Sequence, residues 1–366
     1  MIDFLVSKKN LFDCHFAKHD TPKHEDLKEG EVLLKINNFS FTANNITYAA
    51  LGNSFLYWDF FSKGEEWGRI PCWGFADIVA SNAEGLEIGE RLYGYYPMSS
   101  YLKVKAGNIK KNGFYDVSDH RKSLPIIYNH YSRTKYDPAY AEAYEDLIML
   151  FRPLFTTSFL LEDFLRSSDF FGSQQIILTS ASSKTALGLA FILAHHKSID
   201  NKNIKIIGLT SDKNKSFVES VNYYDEVISY DELDQLSSVD LSMIVDFSGN
   251  KSLLLQIDKQ LNGQLKYCST VGLSHWDQRE SEGELSVKAE LFFAPSQAEK
   301  RIAEWGSSGL LQKLGEKWIP FIQSSKYWLE VKHIDNQENL VALYKNMLDG
   351  NFDAKAGYII DIKDFE

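Results

Sequence analysis

Small, hydroxylated residues fill the segment Leu178–Gly188 (LTSASSKTALG), where an apolar stretch passes into a helical pattern. Backbone amides and hydroxyls at a helix N-terminus can hold a diphosphate. The candidate cofactor-binding residues here are Ser180, Ser182, Ser183, Lys184 and Thr185. The segment lacks the glycines of the G-x-G-x-x-G motif, which permit a tight turn and a close approach of the backbone to the diphosphate. An ordinary strand-to-helix turn capped by serine or threonine is the alternative interpretation.

A second polar group, which includes Thr210, Ser211 and Lys213, follows the next apolar stretch. Sheets that bind adenosine usually place an acidic residue here, where it accepts hydrogen bonds from the ribose hydroxyls. No carboxylate directly ends this stretch. Hydroxyls together with the ammonium group of Lys213 or Lys215 would suit a 2′-phosphate, which favours NADP over NAD. A solvated lysine-rich turn is the alternative.

The elements that must position these residues follow Pro153, where we predict a helix through Arg166 and then strands alternating with helices. The predicted strands are Ile176–Thr179, Ile204–Thr210, Leu241–Phe247 and Lys266–Gly272. Nearly continuous aliphatic strands that alternate with helices indicate a parallel sheet covered on both faces, an α/β, doubly wound fold of the Rossmann type. Ligands of such sheets lie beyond the carboxyl ends of the strands. Further candidate cofactor-binding residues at these ends are Ser248, Gly249, Val271 and Gly272.

The first hundred residues show short apolar runs separated by frequent glycines, which predicts a small β-barrel domain. Residues 108–150 form a polar and aromatic stretch too irregular for strand alternation, and we predict a long insertion that caps the active site. The final apolar run, Gly357–Ile362, is expected to return to the β-rich domain. The predicted domains are therefore 1–150 (β-rich), 151–325 (nucleotide-binding) and 326–366 (a returning segment).

Composition and charge exclude several classes of protein. The 366 residues are 44% apolar with a net charge of −11, which disfavours nucleic acid and anionic membranes as partners. No targeting sequence or bilayer-length apolar segment is evident, so we expect a soluble, cytoplasmic protein. The three cysteines, Cys14, Cys72 and Cys268, are too few and too scattered for a disulfide framework or a structural zinc site, and we predict no metal.

Several segments resemble the medium-chain dehydrogenase/reductase superfamily, particularly its zinc-lacking quinone oxidoreductase-like branch. The most specific match is Ile70–Tyr95 (IPCWGFADIVASNAEGLEIGERLYGY), which resembles I-P-G-x-E-G-x-G-x-V followed by V-G-D-R-V. Glu31–Gly52 resembles the branch's G-E-V-L-V segment with its asparagine turn and tyrosine. Asp246–Gly249 (DFSG) resembles D-x-x-G, and the segment from Gly357 resembles the final G-K-x-V strand.

The resemblance implies a GroES-like β-barrel joined to a Rossmann-type domain, a homodimer, and NADPH-dependent hydride transfer to a quinone or α,β-unsaturated carbonyl compound. It implies that Thr157 lies close to the nicotinamide. Tyr48 is the candidate hydrogen-bond donor to the acceptor oxygen, because a phenol with an ordinary pKa near 10 stays protonated at neutral pH. Asn45 is the second candidate catalytic residue. Ala43 and the asparagines after it stand where zinc alcohol dehydrogenases have a ligand cysteine, so zinc activity is not expected.

Other interpretations stay open from the sequence. Tyr48 could be a packed aromatic residue of the β-rich domain. The candidate substrate-pocket residues, each of which could instead serve packing or the surface, are Tyr131, Arg133, Phe292 and Phe293. The glycine-poor loop also fits a non-catalytic NADP(H)-binding or interaction protein, or a protein that binds a carbonyl ligand without a nucleotide.

Overall fold

The computed structural model describes residues 1–200, 204–271 and 283–365. Its strands are β1 (Ile2–Ser7), β2 (Cys14–Lys18), β3 (Glu31–Phe41), β4 (Ser62–Lys63), β5 (Trp67–Gly68), β6 (Pro71–Ser81), β7 (Arg91–Pro97), β8 (Tyr101–Lys110), β9 (Gly113–Asp116), β10 (His130–Arg133), β11 (Gln175–Leu178), β12 (Lys205–Thr210), β13 (Glu226–Ser229), β14 (Ser242–Asp246), β15 (Leu265–Val271), β16 (Ala289–Phe292), β17 (Glu330–Ile334) and β18 (Ala356–Ile360). Its α-helices are α1 (Ala43–Ala50), α2 (Glu145–Ser167), α3 (Lys184–Asp200), α4 (Asp212–Ser220), α5 (Lys251–Leu261), α6 (Ala294–Ser325) and α7 (Gln337–Leu348).

The chain divides into two compact units. The first comprises Met1–Leu150 and Leu329–Glu366, and the second comprises Phe151–Trp328. Among the described residues, no helix is both long enough and apolar enough to span a bilayer.

The first unit is built on a closed β-barrel. Strands pair in the order β3-β6-β7-β10-β9-β8, and β8 pairs again with β3 to close the ring. The barrel interior follows the two-residue period of a strand, since Val32, Leu34 and Ile36 of β3 are all fully buried in one core. β18 adds to β3 in the antiparallel sense and carries β17 at its outer edge. The expected GroES-like barrel is confirmed.

The segment 108–150 differs from the irregular insertion that the sequence predicts. It contributes the end of β8 and all of β9 and β10, which complete the barrel. Phe114 of β9 lies opposite Tyr131 of β10, and their rings stack 5.4 Å apart inside the core. Strands of four residues are too short to show a clear alternation of apolar and polar residues, which explains the difference.

Helix α2 begins at Glu145 rather than at Pro153, so the proline lies inside the helix. α1 carries Tyr48 within the region where the sequence shows little helical periodicity. α1 is too short, and α2 is too interrupted by its proline, for the helical period of apolar residues to be recognised in the sequence.

The second unit contains a parallel sheet in the order β13-β12-β11-β14-β15-β16. β11 is flanked by β12 on one side and β14 on the other, so the strand order reverses at β11. All four residues of β11 are buried, as expected for a parallel strand covered by helices on both faces. The predicted Rossmann-type fold is therefore confirmed, and it also contains two short strands, β13 and β16, that the sequence analysis does not predict.

Candidate functional site

The carboxyl ends of β11 and β14 are joined by a buried hydrogen-bond network. The Thr179 hydroxyl donates to Asp246 Oδ1 at 2.6 Å and accepts from the Phe247 amide at 2.8 Å. Asp246 also accepts from the Ser248 amide at 2.9 Å, the Ser248 hydroxyl at 2.7 Å and the Gly249 amide at 3.0 Å. Asp246 is only 1% exposed. The predicted residues Ser248 and Gly249 thus form a rigid turn at the edge of the sheet where a ligand is expected.

The loop between β11 and α3 is held by two tyrosines that the sequence analysis does not single out. The Ser180 amide donates to the Tyr230 hydroxyl at 2.8 Å, and the Tyr224 hydroxyl donates to the Ala181 carbonyl at 2.8 Å. Ser180 has a φ of 47°, in the left-handed region that favours glycine. The dinucleotide motif places its first glycine near this turn, and here a serine adopts the left-handed conformation.

The N-terminus of α3 lies beyond this turn. The Ser183 hydroxyl accepts from the Ala186 amide at 3.3 Å, which satisfies one of the amides that a helix leaves unpaired at its start. The Ser182 hydroxyl accepts from Asn214 Nδ2 at 3.2 Å. Lys184 and Thr185 are the first two residues of α3 and are partly exposed. The hydroxyls and the helix start predicted from the sequence are therefore brought together.

Thr210 is buried at the end of β12, and Ser211 is the N-cap of α4. Lys213 is exposed on the first turn of α4. Lys215, in contrast, forms an ion pair with Glu232 at 2.6 Å. The hydrogen bond from Lys215 lowers the pKa of the Glu232 carboxyl. Of the two lysines named in the sequence analysis, Lys213 is thus the more exposed.

The other predicted residues of the second unit lie at separate places. Val271 ends β15 opposite Phe292 of β16, while Gly272 lies outside the described residues. Phe292 is partly buried against Phe164 at a ring distance of 5.7 Å, and Phe293 is half exposed. The Thr157 hydroxyl donates to the Pro153 carbonyl one helical turn earlier, at 3.2 Å.

In the first unit, Asn45 has both ends of its amide engaged by the backbone. Its Oδ1 accepts from the Thr42 amide at 2.7 Å, and its Nδ2 donates to the Pro71 carbonyl at 2.8 Å. Asn45 is 3% exposed and lies on the first turn of α1. This residue therefore fixes α1 against the start of β6 and so sets the position of Tyr48 one turn later.

Tyr48 belongs to an aromatic cluster, which we call the tyrosine cluster and which consists of Tyr48, Tyr57, Phe60, Phe61, Trp73, Tyr95 and Tyr128. The Tyr48 ring lies 4.6 Å from that of Tyr57 and 5.7 Å from that of Tyr95. Burial raises the pKa of Tyr48, and the neighbouring Tyr57 raises it further. The Tyr48 phenol consequently holds its proton at neutral pH.

The structure brings the tyrosine cluster together from five separate segments. Trp73 of β6 pairs in register with Tyr95 of β7, and the ring of Tyr128 lies 4.7 Å from that of Tyr95. Only the strand pairing and the packing of residues 57–61 and 126–129 place these side chains beside Tyr48. Sequence spacing gives no signal for this arrangement.

Tyr131 and Arg133, predicted to line the substrate pocket, both lie on β10 and are engaged within the barrel. Tyr131 is fully buried and its hydroxyl donates to the Tyr95 carbonyl at 3.1 Å. Arg133 forms two hydrogen bonds with the carboxylate of Glu90, at 2.5 and 2.6 Å. Tyr131 is thus packed in the core, and Arg133 is held in an ion pair.

The residues at the carboxyl edge of the parallel sheet fit a dinucleotide in part. The start of α3 and the hydroxyls of Ser182 and Ser211 suit phosphate groups, whereas the left-handed Ser180 carries a side chain where the motif has none. Among the described residues, no three histidine, cysteine or acidic side chains come together as a metal site requires.

Several solved structures share this combination of a closed barrel and a parallel sheet. CurA of Vibrio vulnificus, solved in complex with NADPH, has 14% sequence identity and a TM-score of 0.64 over 99% of each chain. YhdH of E. coli K-12 with bound NADPH has 11% identity and a TM-score of 0.53, over 98% of this chain and 99% of that one. The quinone oxidoreductase of Coxiella burnetii has 12% identity and a TM-score of 0.53 over 99% of each chain.

Within that architecture, the chain belongs to the family described as "Protein of unknown function (DUF2855)", whose model matches residues 39–353. No curated protein matches the sequence. The expected fold is thus confirmed, whereas membership of the medium-chain dehydrogenase/reductase superfamily and of its zinc-lacking branch stays a prediction.

Proposed function

We propose that this protein is a zinc-independent, NADPH-dependent oxidoreductase whose substrate is a quinone or an α,β-unsaturated carbonyl compound. The observation that carries the proposal is the protonated, buried Tyr48 phenol within the tyrosine cluster. CurA and YhdH, which share the fold, were both solved with bound NADPH. That shared fold supports the choice of cofactor and of reaction class.

The cofactor would be held at the carboxyl edge of the parallel sheet, and when bound it supplies the hydride. Ser182 and the first turn of α3, with Lys184 and Thr185, would bind its diphosphate through amides and hydroxyls. Ser211 and Lys213 would bind the 2′-phosphate. Ser248 and Gly249, fixed by Asp246, would shape the edge of the sheet against which the cofactor lies.

Tyr48 would act on the substrate by donating a hydrogen bond to its carbonyl oxygen. Reduction of a conjugated carbonyl compound places negative charge on that oxygen, and a neutral phenol stabilises this charge. The raised pKa keeps the phenol protonated, which is the form that can donate. Asn45 would contribute by holding α1, and with it Tyr48, in place.

The decisive experiment is titration of the purified protein with NADPH and NADH, followed by nicotinamide fluorescence, with quinones and enones then added to the complex. We expect binding with a preference for NADPH, and oxidation of NADPH by at least one acceptor. Tyr48→Phe should reduce kcat/KM by about 100-fold, as expected for loss of a proton donor, with NADPH affinity unchanged. Tyr327→Phe, at a 93% exposed tyrosine, is the matched control and should leave both unchanged.

The assignment of the 2′-phosphate has a test of its own. Lys213→Ala should reduce the preference for NADPH over NADH, because only NADPH carries the extra phosphate. Lys300→Ala removes an exposed lysine of α6 and controls for the change in net charge. An unchanged preference in Lys213→Ala would contradict the assignment.

A second candidate function is a non-catalytic NADP(H)-binding or interaction protein, and the left-handed Ser180 in the glycine-poor loop favours it. Binding of NADPH without turnover on any acceptor would support this alternative. Absence of binding for both cofactors would instead favour a carbonyl-binding protein that uses no nucleotide. A homodimer and the absence of a metal also stay predictions, which light scattering and metal analysis can test.

A further inference from the structure

Exposed apolar side chains surround the tyrosine cluster at two 3-10 helices of the first unit. Phe55 and Leu56 precede the helix Tyr57–Phe61, and Ile126 and Ile127 begin the helix Ile126–Asn129. Their exposed fractions are 37%, 42%, 66% and 44% in chain order. We call these four residues the apolar rim. Large apolar side chains grouped at the surface mark interaction or ligand sites more often than chance exposure does.

Ring contacts link both halves of the apolar rim to the tyrosine cluster. Phe55 stacks on Tyr57 with ring centres 6.4 Å apart, and Tyr57 contacts Tyr128 edge-on at 6.1 Å. Tyr128 directly follows Ile127 in the second 3-10 helix. The rim is therefore continuous with the aromatic rings that lead to Tyr48.

Leu56 adopts a left-handed conformation, with φ of 61° and ψ of 21°. This conformation is uncommon for leucine and strains the backbone. Strain of this kind is concentrated at sites of function. Here it occurs at a residue whose large apolar side chain is exposed to solvent.

Polar atoms lie beneath the rim, around the Tyr48 phenol. Tyr95 Oη and Trp73 Nε1 are buried there, and both side chains hydrogen-bond to Tyr48. Tyr95 is fully buried, and its ring lies 5.0 Å from that of Trp73. These contacts hold the Tyr48 phenol beneath the rim, where its hydroxyl can donate a hydrogen bond to a ligand oxygen.

We propose that the substrate is a quinone that carries a hydrocarbon side chain, with the apolar rim binding the chain and the tyrosine cluster binding the ring and its carbonyl oxygen. This inference rests on the proposed function and narrows its substrate class. The flat aromatic surfaces of the cluster suit a planar ring, and the Tyr48 phenol suits a carbonyl oxygen. A rim of four side chains is far smaller than the roughly 20–30 residues that each partner contributes to a stable protein interface, which favours a small-molecule chain as the occupant.

The test compares two benzoquinones that differ only in one substituent, a methyl group or a decyl chain, each below its critical micelle concentration. Binding is followed by quenching of tryptophan fluorescence without cofactor, so that the measurement does not depend on turnover. We expect the decyl compound to bind at least tenfold more tightly, because several methylenes leave water.

Two variants test whether the rim provides this preference. Ile126→Ser removes an apolar side chain, and Leu56→Asn does so with a residue that tolerates the left-handed conformation. Each should reduce the preference for the decyl compound by about threefold, as expected when part of a side-chain contact is lost. Ile88→Ser is the matched control, because Ile88 is 68% exposed on the turn between β6 and β7, at the opposite end of that hairpin from Trp73 and Tyr95. It should leave the preference unchanged.

Equal binding of the two quinones, or a preference that both rim variants leave intact, would overturn the inference. Measurement of NADPH oxidation with the same two compounds separates this failure from failure of the proposed function. Oxidation that is equally fast with both compounds would support the proposed function and overturn the inference. Chain-dependent binding without NADPH oxidation would contradict the proposed function and support the quinone-chain site. A dimer that Ile126→Ser dissociates, with no chain-dependent binding, would assign the rim to a second copy of the protein and overturn the inference.

Discussion

Replacing Thr179 with valine removes one hydroxyl from the junction of β11 and β14 and keeps nearly the same side-chain shape. That hydroxyl donates to the Asp246 carboxylate at 2.6 Å and accepts from the Phe247 amide at 2.8 Å and the Ser248 amide at 3.1 Å. Thr179 is fully buried, so water cannot replace the missing group without rearrangement. We therefore expect Thr179→Val to destabilise the second unit.

The magnitude follows from these contacts. Loss of a hydrogen bond to a charged group costs about 1.5–3 kcal/mol, and a buried amide left without a partner costs about 1–3 kcal/mol. The Ser248 amide retains its bond to Asp246 at 2.9 Å, so only the Phe247 amide is left unpaired. Local relaxation lowers the sum, and we expect a loss of about 3 kcal/mol in the free energy of unfolding.

Urea unfolding followed by circular dichroism measures this loss as a shift of the midpoint. Hydrogen exchange of peptides from β11 and β14 locates the transition in the second unit, which is needed because two units need not unfold together. Thr156→Val is the control, since the Thr156 hydroxyl donates only to the Arg152 carbonyl one helical turn earlier, at 2.7 Å. We expect a change below about 0.5 kcal/mol for it, in the range of changes outside buried networks. If Thr179→Val also changed the free energy of unfolding by less than about 0.5 kcal/mol, the hydrogen-bond network of Thr179 and Asp246 would not stabilise the second unit as we expect.

Two further predictions concern the first unit. A Cβ on Gly94 would lie 2.4 Å from the buried ring of Tyr131, so Gly94→Ala should lower the unfolding free energy by about 1–3 kcal/mol in thermal or urea unfolding. Gly315→Ala, at an open position within α6, should be neutral or stabilising, and equal effects of the two would contradict the packing argument. His333 Nδ1 lies 2.7 Å from Asp361, which helps to raise the pKa of the imidazole above its ordinary value of 6.5 against the opposing effect of burial. The stabilisation by His333 should be fully present below about pH 6.5 and should be lost as the pH rises through the raised pKa. His333→Gln should therefore flatten the pH dependence of the unfolding free energy above pH 6.5. An unchanged pH profile in this variant would count against the ion pair.

The alternation of strands and helices after Pro153 could be predicted because it depends on local patterns. Each buried parallel strand contains a short run of aliphatic residues, such as Ile176–Leu178, and a helical pattern follows within a few residues. The family-like motif in Ile70–Tyr95 could be recognised for the same reason, because it lies within the single hairpin formed by β6 and β7. For the same reason, the sequence indicates the edge of the sheet at which Thr210 and Ser248 lie.

The partners of these residues could not be predicted, because they come from distant parts of the chain. Thr179 and Asp246 are 67 residues apart and meet only because β11 pairs with β14. Strands of four residues, such as β9 and β10, are too short to reveal a period, and their place in the barrel depends on pairing with longer neighbours.

The sequence by itself determined the class of fold and the strand ends where polar residues collect, because hydrophobic periodicity and turn chemistry act over short stretches of chain. Tertiary structure decided which of those residues have their polar groups engaged by the protein. In the folded chain, both ends of the Asn45 amide form hydrogen bonds with backbone groups, and Trp73 and Tyr95 lie in register beside Tyr48. The physical reason is that a hydrogen bond or a ring contact needs two groups within a few ångströms of each other, and strand pairing and core packing bring distant residues that close.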